Sequence, residues 1–126
     1  MRERPSRVVT VFVCDDSPAE RFLMGQLIKD RRDLYLAGAA STAVGAVQAI
    51  EAAQPDVVLL DHLDHEGDVS VVVSAIREAA PGVKVLIRSG LPERHIVGVS
   101  SADGYVAKAP DPSSLWEAID ALTQRE

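Results

Sequence analysis

A single cysteine, Cys14, occurs in the 126 residues, so no internal disulfide can staple the fold and stability must come from burial. Cys14 itself reads as a small buried hydrophobe. Aromatic side chains are scarce, with one tryptophan, two tyrosines and two phenylalanines, which leaves valine, alanine and leucine to build the core. No apolar run approaches the roughly 20 residues that cross a bilayer, so no spanning helix is expected. Positive charge is also short: 13 Lys and Arg stand against 19 Asp and Glu, a formal charge of -6. Without a clustered basic face the chain is not expected to grip nucleic acid or an anionic membrane. The Arg-rich start MRERPSR is followed by no signal-peptide apolar block, so residues 1–7 read as a polar leader and the expected location is cytoplasmic.

What is present is one domain's worth of core in alternating strand and helix signals. Val8 to Val13 (VVTVFV) is a continuous β-branched run, the mark of a strand buried on both faces. It stops at Cys14-Asp15-Asp16. Ser17, Pro18 and Glu20 then supply an N-cap, a first-turn proline and the glutamate of a capping box. The helix they open carries Leu23, Met24, Leu27 and Ile28 on one stripe. A second strand is expected over Leu34 to Ala40, and a helix over Thr42 to Ala53 bearing Val44, Val47 and Ile50. The third strand and helix fall at Val57 to Leu60 and Val69 to Ala80, and the fourth strand at Val83 to Ile87. Leu91 to Ser100, with Pro92 and Gly98, supports only a short or irregular fourth helix. A fifth strand, Gly104 to Ala107, leads to a fifth helix opened by Asp111-Pro112.

Such alternation implies right-handed parallel crossovers and an open, doubly wound, five-stranded α/β sheet of flavodoxin-like order 2-1-3-4-5. The whole chain, 1–126, is expected to be one such domain. Ligands of this architecture bind outside the carboxyl ends of the strands, where the order reverses between the first and third.

That edge would gather Asp15 and Asp16 from the first strand and Asp61 from the third. Two like charges about 4 Å apart repel by roughly 4 kcal/mol at an effective dielectric near 20, so the trio should raise its own pKa values or recruit a cation. Hard oxygen donors favour Mg2+, which keeps waters and accepts a phosphate oxygen as a further ligand. Ser89 ends the fourth strand and Lys108 follows the fifth, bringing a hydroxyl and an ammonium to the same edge.

Asp15-Asp16, Asp61 in DVVLLD, Ser89 in KVLIRSG, and Tyr105 with Lys108 in GYVAK resemble the receiver domain of two-component response regulators over nearly the whole chain. Within that family, AGAASTAVGAVQAIEAAQPDVVLLD and ADGYVAK are similar to the nitrate-regulator group. The resemblance implies a phosphoacceptor regulator rather than an enzyme. Asp61 would attack a phosphohistidine of a sensor histidine kinase or phosphotransfer protein, or a small acyl phosphate. Asp16 would hold magnesium directly, Asp15 partly through water, with the backbone carbonyl of Leu63 a further ligand. Lys108 would neutralise the phosphoryl oxygens, Ser89 would bind the attached group, and Tyr105 would turn inward as part of the switch. An output partner or a second copy of the chain would dock on the fourth helix, fifth strand and fifth helix. Leu63 and Leu91, at positions that flank the path of the hydrolytic water in the family, should hinder it.

The chain departs from the family pattern in three places. Lys108 is followed by Ala109 and only then by Pro110, so a trans bond is expected after the lysine. The loop HLDHEGD lacks the usual Met-Pro. Arg88 replaces an apolar residue, and either pairs with the acidic crevice or snorkels out of the sheet.

Two other function classes compete with this reading. One is an atypical, non-phosphorylated receiver-like interaction module in which Arg88 and the altered loop disable the site. The other is a flavin or nucleotide enzyme, which would need an anion-binding loop where CDDSPAE offers repelling carboxylates. A zinc site at His62 and His65 is disfavoured by the lack of any regular spacing to align ligands.

Overall fold

The computed structural model describes residues 8–61 and 67–124. The leader, Leu63, His62 and His65 lie outside these. Five strands form one parallel sheet in the order β2-β1-β3-β4-β5, as expected: β1 Val9–Cys14, β2 Leu34–Ala40, β3 Val57–Asp61, β4 Lys84–Ser89 and β5 Gly104–Ala107. Four α-helices are found among the described residues, α1 Pro18–Lys29, α2 Ala43–Ala53, α3 Val69–Ala79 and α4 Ser113–Leu122. None is long and apolar enough to cross a membrane.

Alternation along the strands divides the core in two. Phe12, Val58, Leu60, Val85 and Ile87 point to the side covered by α2 and α3, where they meet Ala46, Ile50, Val73 and Ile76. Val11, Val13, Val57, Leu59, Leu86 and Val106 point to the side covered by α1 and α4, against Met24, Ile28, Leu115 and Ile119. Burial on both faces explains why these strands read as unbroken apolar runs.

The expected stripes need adjustment. On α1, Met24 and Ile28 are buried with Gly25, while Leu23 is half exposed; on α2, Ala46 and Ile50 are buried and Val44 lies in solvent. Ser17 caps α1 by accepting from Glu20 N, but the reciprocal half of the capping box is not made by Glu20. The Ser17 N–H donates to Asp15 Oδ1 instead, at 2.9 Å. No cis peptide bond occurs among the described residues, so Lys108–Ala109 is trans.

Residues 91–101 form two 3-10 turns, Glu93–His95 and Val99–Ser101, in place of a fourth α-helix. Pro92 and a left-handed Gly98, at φ 85°, account for the break. The segment is tied to α3 by Val69 N donating to Val97 O at 2.9 Å and by Arg77 donating to Ser101 O at 2.8 Å. A methyl group at Gly98 would overlap Asp68 Oδ1, the N-cap of α3, and stand 2.8 Å from Ser70 N. Gly98→Ala should therefore lose stability through both the left-handed backbone and the damaged cap, by roughly 2–4 kcal/mol. Urea denaturation checks this, and an unchanged midpoint would contradict it.

Candidate functional site

The structure extends β3 by one residue and β4 by two beyond the expected ends, so Asp61, Arg88 and Ser89 belong to the strands themselves. Asp61 pairs in register with Arg88, and Arg88 with Val106. Parallel register places these three on one face of the sheet, the face of α1 and α4, and Lys108 lies two residues beyond Val106. Asp15 stands two residues beyond Val13 of the same face.

One carboxylate oxygen each from Asp15, Asp16 and Asp61 lies within 4.8 Å of the others. Asp15 and Asp61 are buried; Asp16 is exposed. At that separation each charged pair repels by about 3.5 kcal/mol at an effective dielectric near 20. Burial pushes both the Asp15 and Asp61 carboxyls above the usual carboxylate range; the Ser17 N–H bond eases this at Asp15, Lys108 eases it at Asp61, and the Asp15 charge adds to it at Asp61.

Lys108 Nζ is 2.7 Å from Asp61 Oδ1. The angles do not make a hydrogen bond, so this buried oxygen has a countercharge but no donor aimed along its lone pairs. An oxygen in that condition, beside two further carboxylates, fits a hard divalent cation, which needs no directed hydrogen. Burial works against the Lys108 charge, yet Asp61 and Glu20 together raise its pKa above the ordinary value.

Ser89, the hydroxyl expected at this edge, is buried, and its Oγ accepts from Leu91 N at 3.0 Å. Tyr105 is half-buried, and its hydroxyl donates to the carbonyl of the same Leu91. The two expected switch residues thus meet on one residue of the irregular segment. The backbone of Lys108 is fixed by its N–H donating to Ser89 O at 2.9 Å.

Glu20 was read only as a capping residue, and the structure puts it in the site. Its Oε1 is 2.9 Å from Arg88 Nη1 and 3.3 Å from Lys108 Nζ. Arg88 in turn holds the Glu20 carboxyl below its usual range. Arg88 therefore pairs inward with the acidic crevice; it is not directed out of the sheet.

Residues 11–120 match the family described as the response regulator receiver domain. The chain is 29% identical over 121 residues to a protein-glutamate methylesterase/protein-glutamine glutaminase of Nocardioides sp., covering 92% of this chain and 33% of that protein. It is 28% identical over 114 residues to the nitrate/nitrite response regulator protein NarL of Escherichia coli, covering 87% of this chain and 52% of that protein. The chain thus spans between a third and about half of the length of these relatives. The signal receiver domain of the putative response regulator NarL from Mycobacterium tuberculosis superposes with a TM-score of 0.81 at 27% identity, over 95% of this chain and all of that one. The response regulator domain of Thermotoga maritima CheB, at 21% identity and TM-score 0.77 over 95% of this chain and all of that one, shares the fold.

The raised carboxyls give a stability prediction. A folded-state pKa above the unfolded value means that the contribution is fully present below the unfolded pKa, near 3.8 for both residues, and is lost as pH rises through the folded pKa. Without metal, Asp15→Asn and Asp61→Asn should each melt a few degrees above the parent at pH 7, with the advantage shrinking toward pH 4. Thermal melts across that range test it, and variants that melt below the parent at pH 7 would contradict it.

Proposed function

The chain belongs to the receiver-domain family of two-component response regulators and is a phosphoacceptor signalling domain, and on that premise we propose that Asp61 takes the phosphoryl group. The observation that carries the assignment is the position of Asp61: buried at the end of β3, 2.7 Å from the Lys108 ammonium and clustered with Asp15 and Asp16. The domain is regulatory, and the esterase named in one relative is that protein's own.

In this reading an Asp61 oxygen attacks phosphorus, forming an O–P bond as the bond to the donor breaks and its electron pair leaves with the donor group. The donor is a phosphohistidine of a sensor kinase or phosphotransfer protein, or a small acyl phosphate. Asp15, Asp16 and Asp61 would hold Mg2+, with the Leu63 carbonyl as a further ligand. Bound there, the ion neutralises charge on the phosphoryl oxygens, the main electrostatic need of such a transfer. Lys108, 2.7 Å from Asp61, supplies a positive charge of the protein's own. Transfer removes the full negative charge of the Asp61 carboxylate, so Lys108 exchanges a carboxylate partner for a phosphoryl oxygen.

The switch would start at Ser89. A phosphoryl oxygen accepting from the Ser89 O–H would draw that side chain toward Asp61 and away from the Leu91 N–H that donates to its Oγ, and the Leu91 carbonyl is the partner of Tyr105. Loss of the first contact loosens the second, freeing Tyr105 to turn inward and the 91–101 segment to rearrange. An output partner or a second copy would read that change on the 91–101 turns, β5 and α4. This reading places the domain in the cytoplasm, where its kinase partner would meet it. The rival non-phosphorylated module finds no favouring observation, because Arg88, the residue that would have to disable the site, is paired with Glu20 at 2.9 Å.

Intact-mass measurement after incubation with acetyl phosphate and magnesium should show one added phosphoryl group on the parent and none on Asp61→Asn or when magnesium is chelated. Equal addition to parent and variant would overturn the acceptor assignment. The adduct should also be long-lived, because Leu63 and Leu91 offer no group to orient a hydrolytic water. Leu63→Asn combined with Leu91→Glu should shorten its lifetime once the donor is removed. A parent adduct that decays as fast as that of the double variant would contradict the expectation.

A further inference from the structure

Four charged side chains form one continuous line across the α1 face of the sheet edge. Arg88 Nη1 reaches Glu20 Oε1 at 2.9 Å, the same oxygen is 3.3 Å from Lys108 Nζ, and Lys108 Nζ is 2.7 Å from Asp61 Oδ1. The first link is not an ordinary surface pair. The Arg88 side chain is 9% exposed, and it lines one small cleft with Val13, Met24, Leu59 and Asp61. Its guanidinium has little freedom to leave, so it holds Glu20 in one place.

An ammonium at the end of a four-carbon stem is poorly located by a single contact, because the stem samples many rotamers. Lys108 has two anionic contacts, Asp61 Oδ1 at 2.7 Å and Glu20 Oε1 at 3.3 Å. We propose that Glu20 and Arg88 are positioning residues for Lys108, Arg88 fixing Glu20 and Glu20 holding the ammonium over Asp61. The ammonium has three N–H donors. Asp61 and Glu20 hold the ammonium as ion-pair partners, and an N–H can meet an incoming phosphoryl oxygen before either contact breaks. When Asp61 becomes esterified and its charge falls, Glu20 keeps Lys108 at the site while it re-pairs with the phosphoryl group. The role in transfer rests on Asp61 being the acceptor; the placement of Lys108 does not.

The test therefore has two readouts. In the first, the metal-free, donor-free protein is treated with acetic anhydride at fixed pH, and modification of Lys108 is followed by peptide mass against Lys29 and Lys84, both exposed. Glu20→Gln and Arg88→Met should each raise the rate at Lys108 several-fold while the two reference lysines stay unchanged. In the second, the maximal rate of phosphoryl addition from acetyl phosphate should fall roughly tenfold in either variant, the size of one lost charge-assisted hydrogen bond, with little change in the half-saturating donor concentration. Because Arg88 acts through Glu20, the double variant should be no worse than the poorer single one, and Arg88→Lys should recover part of the rate. Glu20→Gln alters a half-exposed side chain and keeps the assay open if Arg88→Met fails to fold.

Unchanged Lys108 reactivity in Glu20→Gln, faster phosphoryl addition in that variant, or additive losses in the double variant would each overturn the proposal. A parent that takes up no phosphoryl group, while Lys108 reactivity still responds to both substitutions, would refute the acceptor assignment and uphold the positioning.

Discussion

The contact between Lys108 and Asp61 organises this molecule. Lys108 follows β5 and Asp61 ends β3, strands that are not neighbours, and the pair reaches across β4 at 2.7 Å. It can form only if the intervening strand keeps its register and the fifth strand ends where it does. The sheet, in turn, must tolerate at its edge a carboxylate whose burial opposes its charge. An ion pair with one partner buried and the other part exposed contributes little net stability, since desolvation and solvent screening offset most of the attraction. Its retention here makes sense as preparation for chemistry in which both cation and carboxylate change partners.

Strand parity explains why so many charges share one small region. Asp61, Arg88 and Val106 stand in register, and register in a parallel sheet means a common face. Asp15 and Lys108 fall on that face two residues beyond Val13 and Val106. Ser89 is of the opposite parity and points toward α2 and α3, so its hydroxyl reaches the Leu91 N–H and not the Arg88–Glu20 line. The edge is thereby divided into a charged half under α1 and a hydroxyl half beside the 91–101 turns, with Asp61 between them.

Much of this was legible in the sequence. Unbroken β-branched runs marked the strands, since burial on both faces demands them, and the strand order followed from right-handed crossovers. Asp15, Asp16, Asp61, Ser89 and Lys108 were readable as residues at strand ends. Glu20 was missed because it satisfies a local pattern: three residues after Ser17 it looks like the closing half of a capping box, and Asp15 takes that place. The signal that could have found it was present. Glu20 precedes Met24 by one turn and Ile28 by two, which puts it at the upper end of the buried stripe, while Arg88 shares parity with Leu86 and so faces the same helix. Neither pattern points to the other alone, because the pairing depends on how α1 crosses the sheet. Leu23 and Val44 failed as core residues for a related reason: an apolar stripe defined by spacing has a width, and packing against the sheet selects only part of it.

The two halves of the edge also differ in how firmly they are held. The charged half rests on strand ends and on the capped first turn of α1, with Asp15, Asp61 and Arg88 buried. The hydroxyl half rests on Leu91, the start of a stretch of 3-10 turns whose polar ties to α3 include a backbone bond from Val69 and the guanidinium of Arg77. Segments with few buried apolar contacts open at lower free energy than the core, and Ile96 is the buried apolar anchor of this stretch. A change at Asp61 therefore meets a rigid boundary on the α1 side and a compliant one at Leu91. Strain introduced at the centre relaxes where the restoring force is weakest, so the 91–101 turns are the part of the surface that can report on the state of the site.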